Sequence, residues 1–184
     1  VRVQSVADTT VVDGSNANFT VKGTVAVTSP NGGNLLIVGG SHLITWTKNG
    51  SLGDVDILYS TDGGVTYPSP ANLIATVPAA NLNYNWTNIA DVIGSNLKIK
   101  VTQTGAVPND ALDGSDTAFA IKGSLTMTSP NGGETLVVNS VHAITWTKTG
   151  TLGNLKLVYS VDGGTNYPEP DNVIVSGIAA SDLS

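Results

Sequence analysis

Short runs in which apolar and polar residues alternate recur along this chain, bounded by Gly, Pro, Asn and Asp, while the 3.6-residue spacing of an amphipathic helix is almost missing. Over residues 24–28, Val25 and Val27 alternate with Thr and Ala. Over 42–48, Ile44 and Trp46 share one face, with Thr45 and Thr47 on the other. Val55, Ile57 and Tyr59 form a further inward set. The same signals predict strands at 73–77, 82–87, 97–102 and 117–122. Seven or eight strands in about 100 residues is the size and spacing of an immunoglobulin-like sandwich, so the fold class expected is all-β. Trp46 and Trp86 are predicted to fill its middle.

The pattern then repeats. Thr28-Ser-Pro-Asn-Gly-Gly33 returns as Thr128-Ser-Pro-Asn-Gly-Gly133, and Ile44-Thr-Trp-Thr-Lys48 as Ile144-Thr-Trp-Thr-Lys148. Both returns come at an offset of 100 residues, and just over half the positions of 22–80 are identical in 122–180. Trp146 therefore takes the core place of Trp46, and Leu125 and Met127 those of Val25 and Val27. Asp56 becomes Lys156, a charge reversal that marks a solvent face. A duplicated domain of about 100 residues follows.

The duplication is cut in an unexpected place. Val1-Arg-Val3 resembles Ile99-Lys-Val101, and Phe19-Thr-Val-Lys-Gly23 resembles Phe119-Ala-Ile-Lys-Gly123. At the other end, Asp182-Leu-Ser184 stops before the equivalent of Tyr84-Asn-Trp86 has come. The organisation expected is a set of closing strands at 1–22, a complete immunoglobulin-like domain at 23–122, and the opening strands of a split repeat at 123–184. One Gly separates each closing strand from the next opening strand, which implies a semi-rigid rod. Each end of the chain is expected to expose an unpaired edge and an apolar face, a state that favours pairing with another segment. The assembly strands are those around Val1, Val3, Phe19 and Val21. Two arrangements satisfy the pattern: separate subunits joined head to tail by strand addition, or a window on a longer tandem-repeat polypeptide in which about 15 further residues complete a unit of roughly 200.

Thr-Ser-Pro-Asn-Gly-Gly, followed by Ile-Thr-Trp and then by Tyr59-Ser-Thr-Asp-Gly-Gly-Val-Thr-Tyr67, resembles the immunoglobulin-like domain of the Ser/Thr-rich membrane-anchored and yeast glucan-synthesis cell-wall type. Similar modules occur in tandem in bacterial and archaeal surface proteins. The likeness covers 24–122 completely and 124–184 in part. It implies an extracellular structural or adhesive module without catalytic residues to transfer.

Composition narrows the function classes. Eight basic residues are spread thinly against a net charge of −6, so no basic stripe exists to neutralise the phosphates of a nucleic acid. No apolar run reaches the roughly 18–20 residues of a spanning helix. Cysteine is absent, which removes disulfides and thiolate metal sites. The abundance of Thr, Ser, Asn and Gly is typical of exposed surface β-proteins and points to an extracellular location.

Few motifs carry chemistry. Ser60-Thr-Asp-Gly-Gly-Val-Thr-Tyr67 also resembles the Asp-box hairpin of sialidases, but the turn chemistry of Asp62, Gly63 and Gly64 accounts for it. A sialidase needs several Arg, and this chain has only Arg2. His42 and His142 lack ligand-spaced partners for zinc, and the many hydroxyls lack a general base. Asp110, Asp113 and Asp116 form the densest acidic cluster, the weak calcium candidate, set against a solvated Asp/Gly turn. Asn18, Asn49 and Asn85 head glycosylation-type triplets. Tyr67 and Tyr167, each followed by Pro, fit local packing better than a sugar-binding ledge. No cofactor and no enzyme activity is expected. The leading expectation is a structural subunit or segment of a cell-surface filament or stalk whose partner is itself. The alternative is a carbohydrate- or protein-binding accessory module of a large secreted adhesin or enzyme.

Overall fold

A computed structural model describes residues 1–105 and 111–182. The regular structure in them is strand, apart from one 3-10 turn at Ala79–Asn81. The chain is all-β, and its best-formed part is a two-sheet sandwich. One sheet sets β3 (Thr24–Ser29), β5 (Ser41–Asn49) and β8 (Asn83–Thr87) side by side, all antiparallel. The other runs in the order β4 (Leu35–Ile37), β11 (Phe119–Lys122), β9 (Gly94–Gln103), β6 (Asp54–Ser60) and β7 (Leu73–Pro78), with β10 (Leu112–Gly114) pairing the later half of β9.

Period-two alternation builds the core. Val25 and Val27 of β3, Ile44 and Trp46 of β5, and Trp86 of β8 face Val55 and Ile57 of β6, Leu97, Ile99 and Val101 of β9, and Phe119 and Ile121 of β11. All are buried, and the polar residues between them turn outward. Trp46 is tied down as well as covered, since its Nε1 donates to the Ala79 carbonyl at 3.1 Å. Across the sandwich, the rings of Tyr59 and Trp86 stack with centroids 5.9 Å apart.

β4 was not among the predicted strands, because Leu35-Leu-Ile-Val38 is a continuous apolar run without alternation. It forms by pairing parallel to β11, with Leu36 opposite Ile121. The last strand of the chain's first segment, expected around Phe19, does not form. Residues 17–23 carry no strand, and only β1 (Arg2–Gln4) and β2 (Val12–Gly14) pair there as a hairpin. The reason is the one that makes β4: a strand is held by its neighbours, and β11 has β4 and β9 beside it, whereas 19–21 pair with no described strand.

The second repeat opens as the first does. β12 (Ser124–Ser129) pairs β13 (Thr145–Thr149) in the register of β3 with β5, and β14 (Leu155–Val158) pairs β15 (Val173–Ile178) as β6 does β7. Residues 134–138, the counterpart of β4, are not a strand.

Candidate assembly interface

The two repeats present the same surface in two states, covered and uncovered. In the complete sandwich Leu36 is 4% exposed and Ile121 wholly buried; the equivalents Leu136 and Val21 are 53% and 85% exposed. Phe119 is 1% exposed and Phe19 61%. Leu125 and Met127 are exposed where Val25 and Val27 are buried, and Val1 and Val3 where Ile99 and Val101 are buried. These contrasts fall at the positions that β9, β10 and β11 seal in the complete repeat. On the second repeat these apolar positions are exposed, and so are their counterparts in residues 1–22.

Trp146 shows the same incompleteness in a polar atom. It is buried, but among the described residues its Nε1 is the buried side-chain nitrogen without a hydrogen-bond partner, where Trp46 has the Ala79 carbonyl. A buried donor left unpaired costs about 1–3 kcal/mol.

The β1–β2 hairpin copies β9–β10 bond for bond. Arg2, Val3 and Gln4 stand opposite Gly14, Asp13 and Val12, as Lys100, Val101 and Thr102 stand opposite Gly114, Asp113 and Leu112. The flanking bonds match too. Ser15 N donates to the Val1 carbonyl at 2.7 Å, and Ser115 N to that of Ile99 at 2.9 Å; Ser5 N donates to Val11 and Gln103 N to Ala111, both at 2.9 Å. Only the intervening loop differs in length.

In the complete repeat this hairpin is bolted to the opposite sheet. The Asp113 carboxylate accepts the Val27 N–H at 2.8 Å, Ser115 Oγ donates to the Pro30 carbonyl at 2.6 Å, and Asp116 and Asn31 exchange two hydrogen bonds. Two of the three calcium candidates point apart: the Asp113 carboxylate reaches β3 and that of Asp116 reaches Asn31, so they are directed to different protein donors. Asp110 lies outside the described residues. Among the described residues, no group of three or more His, Cys, Asp and Glu is gathered to hold a metal. Replacing Asp113 with Ala is expected to lower the stability of the central sandwich by about 1.5–3 kcal/mol, because the buried Val27 N–H loses a charged acceptor. Thermal melts should show that loss equally with calcium and with EDTA.

No known family model matches the chain, and no curated protein matches it. Among solved structures it is similar to the fibronectin(III)-like modules of Clostridium thermocellum CbhA, at 19% identity over 85% of this chain and 75% of that one, with a TM-score of 0.31. The likeness to the Ser/Thr-rich cell-wall type of module thus rests on the motif residues themselves.

Those motif residues do structural work. Asp62 accepts the N–H groups of Val65 and Thr66 and the hydroxyls of Ser60 and Thr66, which hold its carboxyl well below the usual carboxylate range. Asp162 is bound likewise by Ser160, Asn166 and Thr165, which lower its pKa to about 2. Gly63 and Gly64 both take positive φ in this turn. Tyr67 is half-buried, with Lys100 Nζ 4.5 Å from its ring centroid. His42 lies at the start of β5 with its Nε2 3.0 Å from Ser29 Oγ, and His142 meets Ser129 in the same way.

Burial lowers the His42 pKa, so the folded sandwich holds fewer protons there than the unfolded chain. Stability from this group is present above the unfolded value of about 6.5 and is lost as pH falls through the folded one. Melting of the central sandwich should therefore drop as pH falls below about 6.5, and His42→Gln should flatten that part of the profile.

The one-Gly junction between repeats is tightly fitted, and a side-chain contact that the sequence did not disclose spans it. A Cβ on Gly123 would lie 2.5 Å from the Thr149 carbonyl and 2.6 Å from Leu152, so only Gly lets β11 pass so closely into β12. From the other side, the Asp91 carboxylate accepts both the N–H and the hydroxyl of Thr151, at 2.8 and 2.6 Å. Asp91→Ala is expected to speed amide exchange at Thr151 while leaving the melting of the central sandwich unchanged.

Proposed function

We propose that this chain is a structural segment of an extracellular surface filament or stalk, built from head-to-tail immunoglobulin-like repeats. In it, the sheet begun at 124–182 is closed by strands of the kind found at 1–22, added from the next unit. One observation carries this reading: the apolar positions uncovered on the second repeat are those that β9–β11 cover on the first, and 1–22 hold a matching cover in the register of β9–β10.

The energetics favour closure as a single event. Covering a Leu, Met, Val or Phe side chain is worth about 1.5–3 kcal/mol, whereas association of separate bodies costs about 4–15 kcal/mol. One or two residues do not offset that cost; Phe19, Val21, Leu125, Met127 and Leu136 covered together reach its size. A contact between unlike surfaces propagates as an open fibre when its rotation does not close into a ring. The extracellular assignment is supported by the Thr-, Ser-, Asn- and Gly-rich composition. No described helix is long and apolar enough to cross a membrane. The role is mechanical, with Trp46, Trp86 and Trp146 as core anchors.

Negative-stain microscopy and sedimentation of the 184-residue chain across a concentration series test the proposal. Unbranched end-to-end polymers are expected to grow with concentration. A monomer at every concentration would refute self-association.

A further inference from the structure

We infer that closure is keyed by a defined latch: Asp13 and Ser15 of the incoming hairpin seize the Met127–Pro130 stretch of a second copy, while 20–22 pair parallel to 135–137. This rests on the strand-addition reading and adds to it the register and the polar contacts.

The complete repeat supplies the template. Asp113 and Ser115 reach across the sandwich to Val27 N and the Pro30 carbonyl, and their counterparts Asp13 and Ser15 sit at the same rungs of a hairpin in the same register. Ser15 is held ready. The Val1 amino group donates to its Oγ at 2.6 Å, as the Ile99 amide does to Ser115 Oγ at 3.1 Å. Its hydroxyl then differs in one respect: it turns back to the Val1 carbonyl at 3.0 Å, whereas Ser115 gives its proton to Pro30. Pro130 is the seat the second repeat offers, on the same Thr-Ser-Pro-Asn-Gly-Gly turn. Asn16 stands for Asp116 and keeps both a backbone donor and a side-chain acceptor for Asn131, the partner equivalent to Asn31.

Behind the latch, β11 fixes the strand register. Ala120, Ile121 and Lys122 lie beside Leu35, Leu36 and Ile37. The equivalent pairs are Thr20 with Thr135, Val21 with Leu136, and Lys22 with Val137. This register puts Val21 and Leu136 together in the core, and a slip of one residue by either strand turns that strand's apolar side chains outward.

The chain has no Cys, so introduced thiols report cleanly. Two full-length single variants, Thr20→Cys and Thr135→Cys, are mixed and oxidised; Thr20→Cys with Val137→Cys serves as the two-residue-slip control. Thr20, Thr135 and Val137 are all exposed, so these changes spare the core. A disulfide-linked heterodimer is expected with Thr135→Cys and not with Val137→Cys, and Asp13→Ala should weaken association roughly tenfold or more through loss of a charged hydrogen bond. Assembly of the parent chain with cross-linking through Val137→Cys, or with Asp13→Ala associating like the parent, would overturn the latch and leave strand addition standing. A parent chain that does not assemble would overturn both.

Discussion

Truncating Trp46 to Ala is expected to cost about 3–5 kcal/mol and to remove most of the stability of the central sandwich. The indole lies between the two sheets at 2% exposure, and its Nε1 bond to Ala79 pins the turn that follows β7. The variant loses packing and also leaves the Ala79 carbonyl without that donor. The same change at Trp146 should cost distinctly less in the unassembled chain, because the neighbours of Trp146 are only half covered and its Nε1 has no bond to lose. Chemical denaturation followed by far-UV circular dichroism separates the two. Equal losses would mean that the second repeat is already as closely packed as the first.

The second large effect comes from one substitution placed at two equivalent positions. Phe119→Asp buries a carboxylate in the core of a complete sheet and should prevent the central sandwich from folding. Phe19→Asp puts the same charge on an exposed ring and should leave the melting temperature of that sandwich unchanged. Its effect should come only on assembly, where residue 19 is carried into the position of Phe119 and the charge must be desolvated. Polymers are then expected to vanish from a fully folded protein. Normal fibres from Phe19→Asp would remove residues 19–22 from the contact.

Much of this was legible in the sequence because strand faces follow a period of two and the repeat shows which departures matter. The inward set of Val25, Val27, Ile44, Trp46, Val55 and Ile57 can be read from alternation alone. Exposure of Phe19 and Val21 follows from finding their partners Phe119 and Ile121 in a second context. Other features depend on what lies opposite, which the local sequence does not encode. β4 is an apolar run whose strand character comes from β11, and 19–21 have the composition of a strand without a described strand to pair with. Asp113 and Asp116 read as one acidic cluster because they are close in the chain, yet each is held by a donor some 85 residues away. The Asp91–Thr151 contact likewise joins residues 60 apart that no local pattern connects. The retention of Leu36 and Val38 as Leu136 and Val138 was the available signal for β4.

Amide hydrogen exchange across a dilution series addresses the closing of one repeat by another most directly. Residues 19–21 and 135–137 should exchange freely in dilute chain and become protected together, at one concentration midpoint, as polymers form. Protection of both segments already in the monomer, or polymers in which both stay unprotected, would contradict it.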